Sequence, residues 1–375
     1  MNTDQIANSD SFPPIKDNLN VIDHLSKFLG LAVSQLYLLC ALITCYEVIS
    51  RYVFDAPTQW AFETVMVLCA TAWMLSAGYI TLHRRHIGIT VIYIMMDKAK
   101  QWYLDLFAYV IGVIALWLFV DDTLVRAIES VMMTERAGSA WNSPQPLILK
   151  TMLVTGATVY LTQLLVNLYR HFDSALAKNI ISAISAFIVF RFIMVFLEHT
   201  LELKGVIAIN EYLASIAAYI EPTKYVDIRD IGIKWASILI VGLMVLLMMT
   251  GMPLGVVTLF VSILSALFYF GFNGLYLVST NAFGLLEAYP LIAVPLFVLM
   301  ASILEKAGVA EDLFDAMQIF AGKLRGGVAI QTIVVAVILA AMSGVMGGEI
   351  VMLGLVALPQ MMRLGYNRKL AIGVV

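Results

Sequence analysis

Residues 326–362 read GGVAIQTIVVAVILAAMSGVMGGEIVMLGLVALPQMM, an apolar stretch whose single charge is Glu349. Two full membrane crossings need about 40 residues plus a turn, because a helix rises about 1.5 Å per residue through a hydrocarbon core of about 30 Å. The stretch is shorter than that, and it is split at Ser343-Gly344-Val345-Met346-Gly347-Gly348-Glu349. Its first arm, Gly327–Met342, extends only about 24 Å as a helix. Basic residues flank both ends, Lys323 and Arg325 before it and Arg363, Arg368 and Lys369 after it, which places both ends on the cytoplasmic side. The pattern predicts a re-entrant hairpin, two short helices meeting at an irregular tip near the bilayer midplane.

Irregular backbone at that depth is tolerated only where protein or a water-filled cavity covers it. The tip is therefore the candidate site, formed by Ser343, Gly344, Val345, Met346, Gly347, Gly348 and Glu349. Glycines let carbonyls and N–H groups turn outward; carbonyls suit Na⁺, and half-helix N-termini favour anionic substrate groups. Glu349 serves either as a hard oxygen near a cation or as the cap of the second half-helix, and an intramembrane carboxylate favours the first role.

Working outward, 61% of the 375 residues are apolar and 13% are charged. A soluble domain carries about 25% charged residues, so lipid must be the solvent for most of this surface. A net charge of −3, with Lys and Arg scattered, excludes nucleic acid as a partner. Cys40, Cys45 and Cys69 lie in apolar runs without metal-ligand spacing and read as buried free thiols. No nucleophile motif or phosphate loop appears, so the chain is not read as an enzyme.

Charge-free runs at Phe28–Tyr46, Thr64–Leu82 and Thr151–Tyr169, with Trp102–Val120 interrupted only by Asp105, predict a block of four crossings. Asn179–Leu197 is a fifth, carrying Arg191 alone, and Trp235–Leu286 has no charge and must hold at least two passes. A further apolar run spans Ala288–Leu304. Arg84, Arg85, Lys98 and Lys100 mark one loop as cytoplasmic, whereas Asp121, Asp122, Glu129 and Glu135 mark the next as outer. The chain then enters from the cytoplasm at both 28 and 179, with a cytoplasmic N-terminus. Asn179–Leu197 is thus the extra crossing needed to fuse two membrane modules, and Arg191 within it is expected to face a neighbouring helix or cavity. The predicted organisation is a tail (1–26), a four-helix domain (27–175), a linker with the added crossing and an interfacial helix near Val206–Ile220 (176–232), and a transport domain (233–375).

Glu47-Val-Ile-Ser-Arg51-Tyr52-Val53-Phe54, Pro57-Thr-Gln-Trp60, Glu63 and a second crossing leading to His86-Ile87 resemble the small, DctQ-type subunit of tripartite ATP-independent periplasmic (TRAP) transporters. Gly251-Met-Pro253-Leu-Gly255, Pro295-Leu-Phe297 leading to Met300, Gly326-Gly327, Ser343-Gly344, Pro359-Gln-Met361 and Gly365-Tyr366 resemble the start of the large, DctM-type subunit. The resemblance implies an all-α integral membrane protein: a four-helix DctQ-like block, a linker transmembrane helix, and the first part of an inverted-repeat transporter with its re-entrant hairpin. It further implies a secondary transporter of the bacterial inner membrane that imports a small organic acid, such as a C4-dicarboxylate, with Na⁺ as coupling ion. Its partners would be a periplasmic solute-binding protein and the bilayer, with no other cofactor. Family hairpins usually read Ser-Gly-Ser before small residues and an Asp, Asn or Thr; here Val345 stands at the second Ser and Glu349 near the acidic position.

The sequence stops inside the apolar run Leu370–Val375 and shows one hairpin without a second copy. Since such transporters build their site from two halves, the remaining part of the DctM-like domain is expected to lie beyond Val375, and this chain alone is expected not to transport. Arg51, Asp121 and Asp122 are candidates for docking the binding protein, with solvated rim charge as the alternative. Trp60 and Glu63 read as an interfacial anchor with a structural carboxylate, and His83 and His86 as a headgroup-contacting loop. Two rival classes are a membrane scaffold without transport and a haem-binding redox subunit. The second is disfavoured because His24, His83, His86, His171 and His199 all lie at loops or ends of the crossings.

Overall fold

A computed structural model describes residues 20–201, 232–307, 326–343 and 366–374, with isolated helical positions at 207–209, 212, 215, 312, 316, 357–358 and 361–362. The described secondary structure is all helical. The helices are α1 (Val21–Val53), α2 (Ala61–Leu82), the short α3 (Val91–Met95), α4 (Lys98–Met132), α5 (Gln145–His171), α6 (Ala175–Leu201), α7 (Ile233–Met249), α8 (Leu254–Phe270), α9 (Leu275–Leu286), α10 (Val294–Lys306), α11 (Gly327–Ser343) and α12 (Arg368–Val374). Among the described residues, six stretches are long and apolar enough to cross a membrane: α1, α2, α4, α5, α6, and Leu254–Leu286, which joins α8 and α9 through a 3-10 turn. The four crossings of the first block and the added fifth each fall inside one of these helices.

The helix ends follow local chemistry. Pro57 lies just beyond α1, and the Ser50 hydroxyl donates to the Ala56 carbonyl at 2.5 Å, closing the turn there. Proline opens α5 (Pro144, Pro146) and α8 (Pro253), where a missing N–H costs nothing. The apolar run Ala288–Leu304 does not form one helix: a 3-10 turn, Tyr289–Ala293, precedes the 13-residue α10. Pro290 and Pro295 account for the break, because each removes a backbone donor. The interfacial helix expected over Val206–Ile220 lies almost wholly outside the described residues.

The chain divides into two compact units, Met1–Tyr37 with Thr58–Ala288, and Leu38–Pro57 with Tyr289–Val375. In the first unit α5 is the central helix. Leu149, Leu153, Ala157, Leu161, Leu164 and Leu168 repeat every three or four residues along it and are all buried, the stripe of a packed helix. Where α5 meets α2 the contact is made by small residues, as in membrane helix pairs generally. A Cβ on Gly156 would fall 2.5 Å from the carbonyl oxygen of Met74, so the two backbones touch there.

The added crossing α6 packs on this block through Ile181 and Ile188, which share a buried cluster with Val113 and Leu116 of α4 and Leu161, Leu164, Leu165 and Leu168 of α5. Arg191 meets Asp121 of α4 at 3.3 Å, as its cost at membrane depth requires. On α4 another cluster joins Ile111 to Leu247 of α7, to Met252, and to Val256, Val257 and Val261 of α8. The first unit thus contains α2, α4 and α5 of the four-helix block, the first part of α1, and the opening helices of the following module. In the second unit, α11 packs against α10 and α12. Cys40 and Cys69 are buried free thiols, whereas Cys45 is exposed, which corrects the expectation for that residue.

Candidate functional site

A helix, α11, covers the segment expected to form the first arm of the hairpin, and its 17 residues end on Ser343. The rest of the predicted tip, Gly344, Val345, Met346, Gly347, Gly348 and Glu349, lies outside the described residues. The three docking candidates are all engaged in charge pairs. Arg51 binds Glu47, one turn earlier on α1, at 2.5 Å. Asp121 holds Arg191. Asp122 accepts from Arg126 at 3.1 Å and from the buried Ser279 hydroxyl.

That last contact makes a junction, because Asp122 and Arg126 belong to α4 and Ser279 to α9. Arg126 also donates to Ser279 Oγ at 2.8 Å, and its guanidinium lies 3.8 Å from the ring centroid of Tyr276. Beside it, Lys150 of α5 binds Glu135 at 2.5 Å and stands 5.0 Å from the Phe283 ring centroid on α9. A cavity of about 320 Å³ opens between these side chains. Burial works upward on the Glu135 carboxyl, but hydrogen bonds from Lys150 and Ser130 and the Lys150 charge outweigh it and hold its pKa below the ordinary value. Glu287 is shifted the other way, upward, by burial foremost; the Glu135 charge adds to the rise and the Lys150 charge opposes it. This is the acidic end of the bundle. Here Glu63 of α2 is buried and accepts the Ser143 hydroxyl, the structural role expected of it.

At the opposite, basic end the loop after α2 makes a second junction. The backbone N–H of Leu254, at the start of α8, donates to the Ile87 carbonyl at 2.8 Å. Gly251 turns the chain there at φ +83°, and a Cβ on it would sit 3.1 Å from Tyr93 of α3. Glycine meets both demands, since left-handed backbone and close approach each exclude a side chain. The sequence pairs singled out separately, His86-Ile87 and Gly251-Met-Pro253-Leu, therefore meet in space.

His86 does not face headgroups as expected. It stacks on Tyr160 of α5, with centroids 4.9 Å apart, and its Nε2 lies 2.8 Å from Thr81 Oγ. The Thr81 hydroxyl gives its single proton to the Ala77 carbonyl, so Nε2 carries the imidazole proton and donates. Burial pushes His86 down to about 4, so the ring is neutral at pH 7. Tyr93 is pushed up to about 12 by burial and by the charge of Asp105, to which its hydroxyl donates at 3.2 Å. Arg84, His86, Asp105, Tyr160 and Asn167 line a cavity of about 140 Å³ at this junction.

One feature of the basic end went unread in the sequence. Asp23, Ser26 and Gln163 are fully buried there. Asp23 pairs with Arg170 and accepts from the Gln163 amide at 2.9 Å, and Ser26 donates to Gln163 Oε1 at 2.8 Å. Asn167 continues the chain to the Thr81 carbonyl at 3.1 Å. The signal in the sequence is Gln163 itself, an amide inside a charge-free crossing; polar groups within a crossing are costly and find partners.

Among the described residues no cluster of His, Cys, Asp and Glu is placed to hold a metal ion. The arrangement holds rather than reacts: polar and backbone clamps at both ends bracket an apolar seam between α4 and α8, fastening α7, α8 and α9 to the four-helix block.

Comparison with known proteins gives each side of this junction a relative. Residues 40–174 match the family described as tripartite ATP-independent periplasmic transporters, DctQ component, and residues 241–375 match the DctM component of the same transporters. The second part is similar to the C4-dicarboxylate TRAP transporter large permease protein DctM of Rhodobacter capsulatus, 29% identical over 37% of this chain and 32% of that protein. The DctM of Pseudomonas aeruginosa is 34% identical over 24% of this chain and 21% of its own length. The ectoine TRAP transporter large permease protein TeaC of Halomonas elongata is 28% identical over 36% and 32%. The chain spans about a third or less of the length of these curated relatives.

Proposed function

We propose, for a chain that joins a DctQ-type and a DctM-type component of a tripartite ATP-independent periplasmic transporter in one polypeptide, that it is membrane machinery for importing a small organic acid. The import is driven by Na⁺ and fed by a periplasmic binding protein, in the inner membrane, with the N-terminus in the cytoplasm. The DctQ-type block acts as a static scaffold, and the Ser343–Glu349 hairpin belongs to the element that carries ion and substrate. The observation that supports this division is the two-ended clamp, Asp122–Arg126–Ser279 at one end and Ile87–Leu254 at the other. The C4-dicarboxylate named for the Rhodobacter and Pseudomonas relatives makes that acid class the first to test.

The test is uptake of radiolabelled organic acids into proteoliposomes holding the natural full-length gene product, with and without a Na⁺ gradient and the binding protein. Uptake is expected to require both. Uptake without a Na⁺ gradient would reassign the coupling to H⁺, and uptake without a binding protein would remove the chain from the tripartite mechanism.

The scaffold role has its own test. Asp122→Cys with Ser279→Cys, joined by a short thiol-reactive cross-linker, locks α4 to α9. Uptake by the cross-linked protein is expected to match that of the same variant before cross-linking. A loss of tenfold or more on cross-linking would mean that this junction moves during transport.

A further inference from the structure

We infer that an apolar groove between α5 and α6 binds one anionic phospholipid, its acyl chain along the groove and its headgroup at Lys178. The groove has a volume of about 360 Å³ and is walled by Leu161, Leu165 and Tyr169 of α5 and Ile181, Ile188 and Phe192 of α6. Its polar members are Asn20, Thr158, Thr162 and Ser185, and the last two turn their hydroxyls to their own helices. The Thr162 hydroxyl donates to the Val159 carbonyl at 3.0 Å and the Ser185 hydroxyl to the Ile181 carbonyl at 2.8 Å, each within its own helix.

Length identifies the occupant. The groove runs from Thr158 to Tyr169 on α5 and from Ile181 to Phe192 on α6, about 16 Å at the helical rise. That is close to half of a hydrocarbon core of about 30 Å, the depth of a single leaflet. A site of this length, mostly apolar and open on a membrane-spanning surface, fits one acyl chain.

Charge identifies the headgroup. At the basic end of the groove, Lys178 Nζ stands 5.6 Å from the ring centroid of Tyr169. No carboxylate pairs with Lys178 among the described residues, whereas neighbouring Arg170 is held by Asp23. Asp173 is the single acidic residue between Arg170 and Lys178, and it is exposed. A phosphate at this position would supply the missing counter-charge, and the Tyr169 ring suits the polar–apolar boundary.

The experiment is native mass spectrometry of the detergent-purified chain after exchange with phosphatidylglycerol or phosphatidylcholine. One phosphatidylglycerol per chain is expected to survive, with phosphatidylcholine retained at least fivefold less. Lys178→Gln is expected to reduce that preference about fivefold, the worth of one lysine near a membrane surface. Ser185→Trp fills the groove and is expected to remove both lipids. Should Ser185→Trp fail to fold, Lys178→Gln still decides, because it changes only the rim. Equal retention of the two lipids, or an unchanged preference in Lys178→Gln, would overturn the proposal. So would retention that appears only after residues 1–19 are deleted, since the groove would then belong to the chain's own N-terminus.

Discussion

Asp23→Ala is expected to destabilise the first unit by about 3 kcal/mol, the lower end of the range for removing one partner of a buried ion pair. Asp23 is fully buried, and it accepts from both Arg170 and Gln163. Alanine leaves the Gln163 amide only its longer bond to Asn167 Oδ1, at 3.4 Å, and the Arg170 guanidinium without its counter-charge. The side chain of Arg170 is 32% exposed, so water or headgroups relieve part of its loss, which is why the lower end applies. Asp23→Asn keeps acceptor capacity but not the charge and is expected to lose less. Asp23→Leu combined with Arg170→Met is expected to recover much of the stability, because two apolar side chains leave no charge unpaired. Thermal unfolding in detergent, followed by exposure of the buried Cys69 thiol, measures all three. A change below about 1 kcal/mol for Asp23→Ala would show that the network carries no structural load, because that is the size of an ordinary exposed pair.

Gly156→Leu is expected to abolish folding of the four-helix block, and Gly156→Ala to cost about 1–3 kcal/mol, the usual penalty for overpacking. The added Cβ would meet the Met74 carbonyl oxygen at 2.5 Å and Met74 Cβ at 2.6 Å. A backbone carbonyl cannot rotate away as a side chain does, so α2 and α5 must separate, and every contact along their shared face loosens. Gly255→Ala is the matched control: nothing lies within 4 Å of a Cβ built there. The yield of monodisperse protein and the unfolding temperature of the three variants provide the check. Equal stability of Gly156→Leu and Gly255→Ala would contradict the close approach of these helices.

The crossings were legible because membrane insertion sums local transfer free energies over about 20 neighbouring residues. Phe28–Tyr46, Thr64–Leu82, Trp102–Val120, Thr151–Tyr169 and Asn179–Leu197 each needed only their own composition. The same count fails for Ala288–Leu304, where apolarity is high but Pro290 and Pro295 deny the backbone a continuous helix. Arg191 was legible as a residue needing a partner, because its cost is local; that the partner is Asp121 was not. The helix α11 follows from its apolar composition and length.

His86 shows the limit most clearly. In sequence it sits in a short basic loop and reads as a headgroup contact. In the structure, Tyr160, Thr81 and the turn at Gly251 enclose the cavity it lines. Asp122 likewise reads as a surface acid until Ser279, 157 residues later, donates to it.

By itself, the sequence determined that the protein is helical and spans a membrane, and where five of its crossings lie. Each of these rests on hydrophobicity and charge summed over neighbouring residues. Only the tertiary structure decided which helices share a core, that α7, α8 and α9 are fastened to the four-helix block, and that a one-leaflet groove lies between α5 and α6. Those pairings rest on close backbone approach and on single hydrogen bonds between residues far apart in the chain, and lipid, being as apolar as the helices, offers no general hydrophobic force to choose among them.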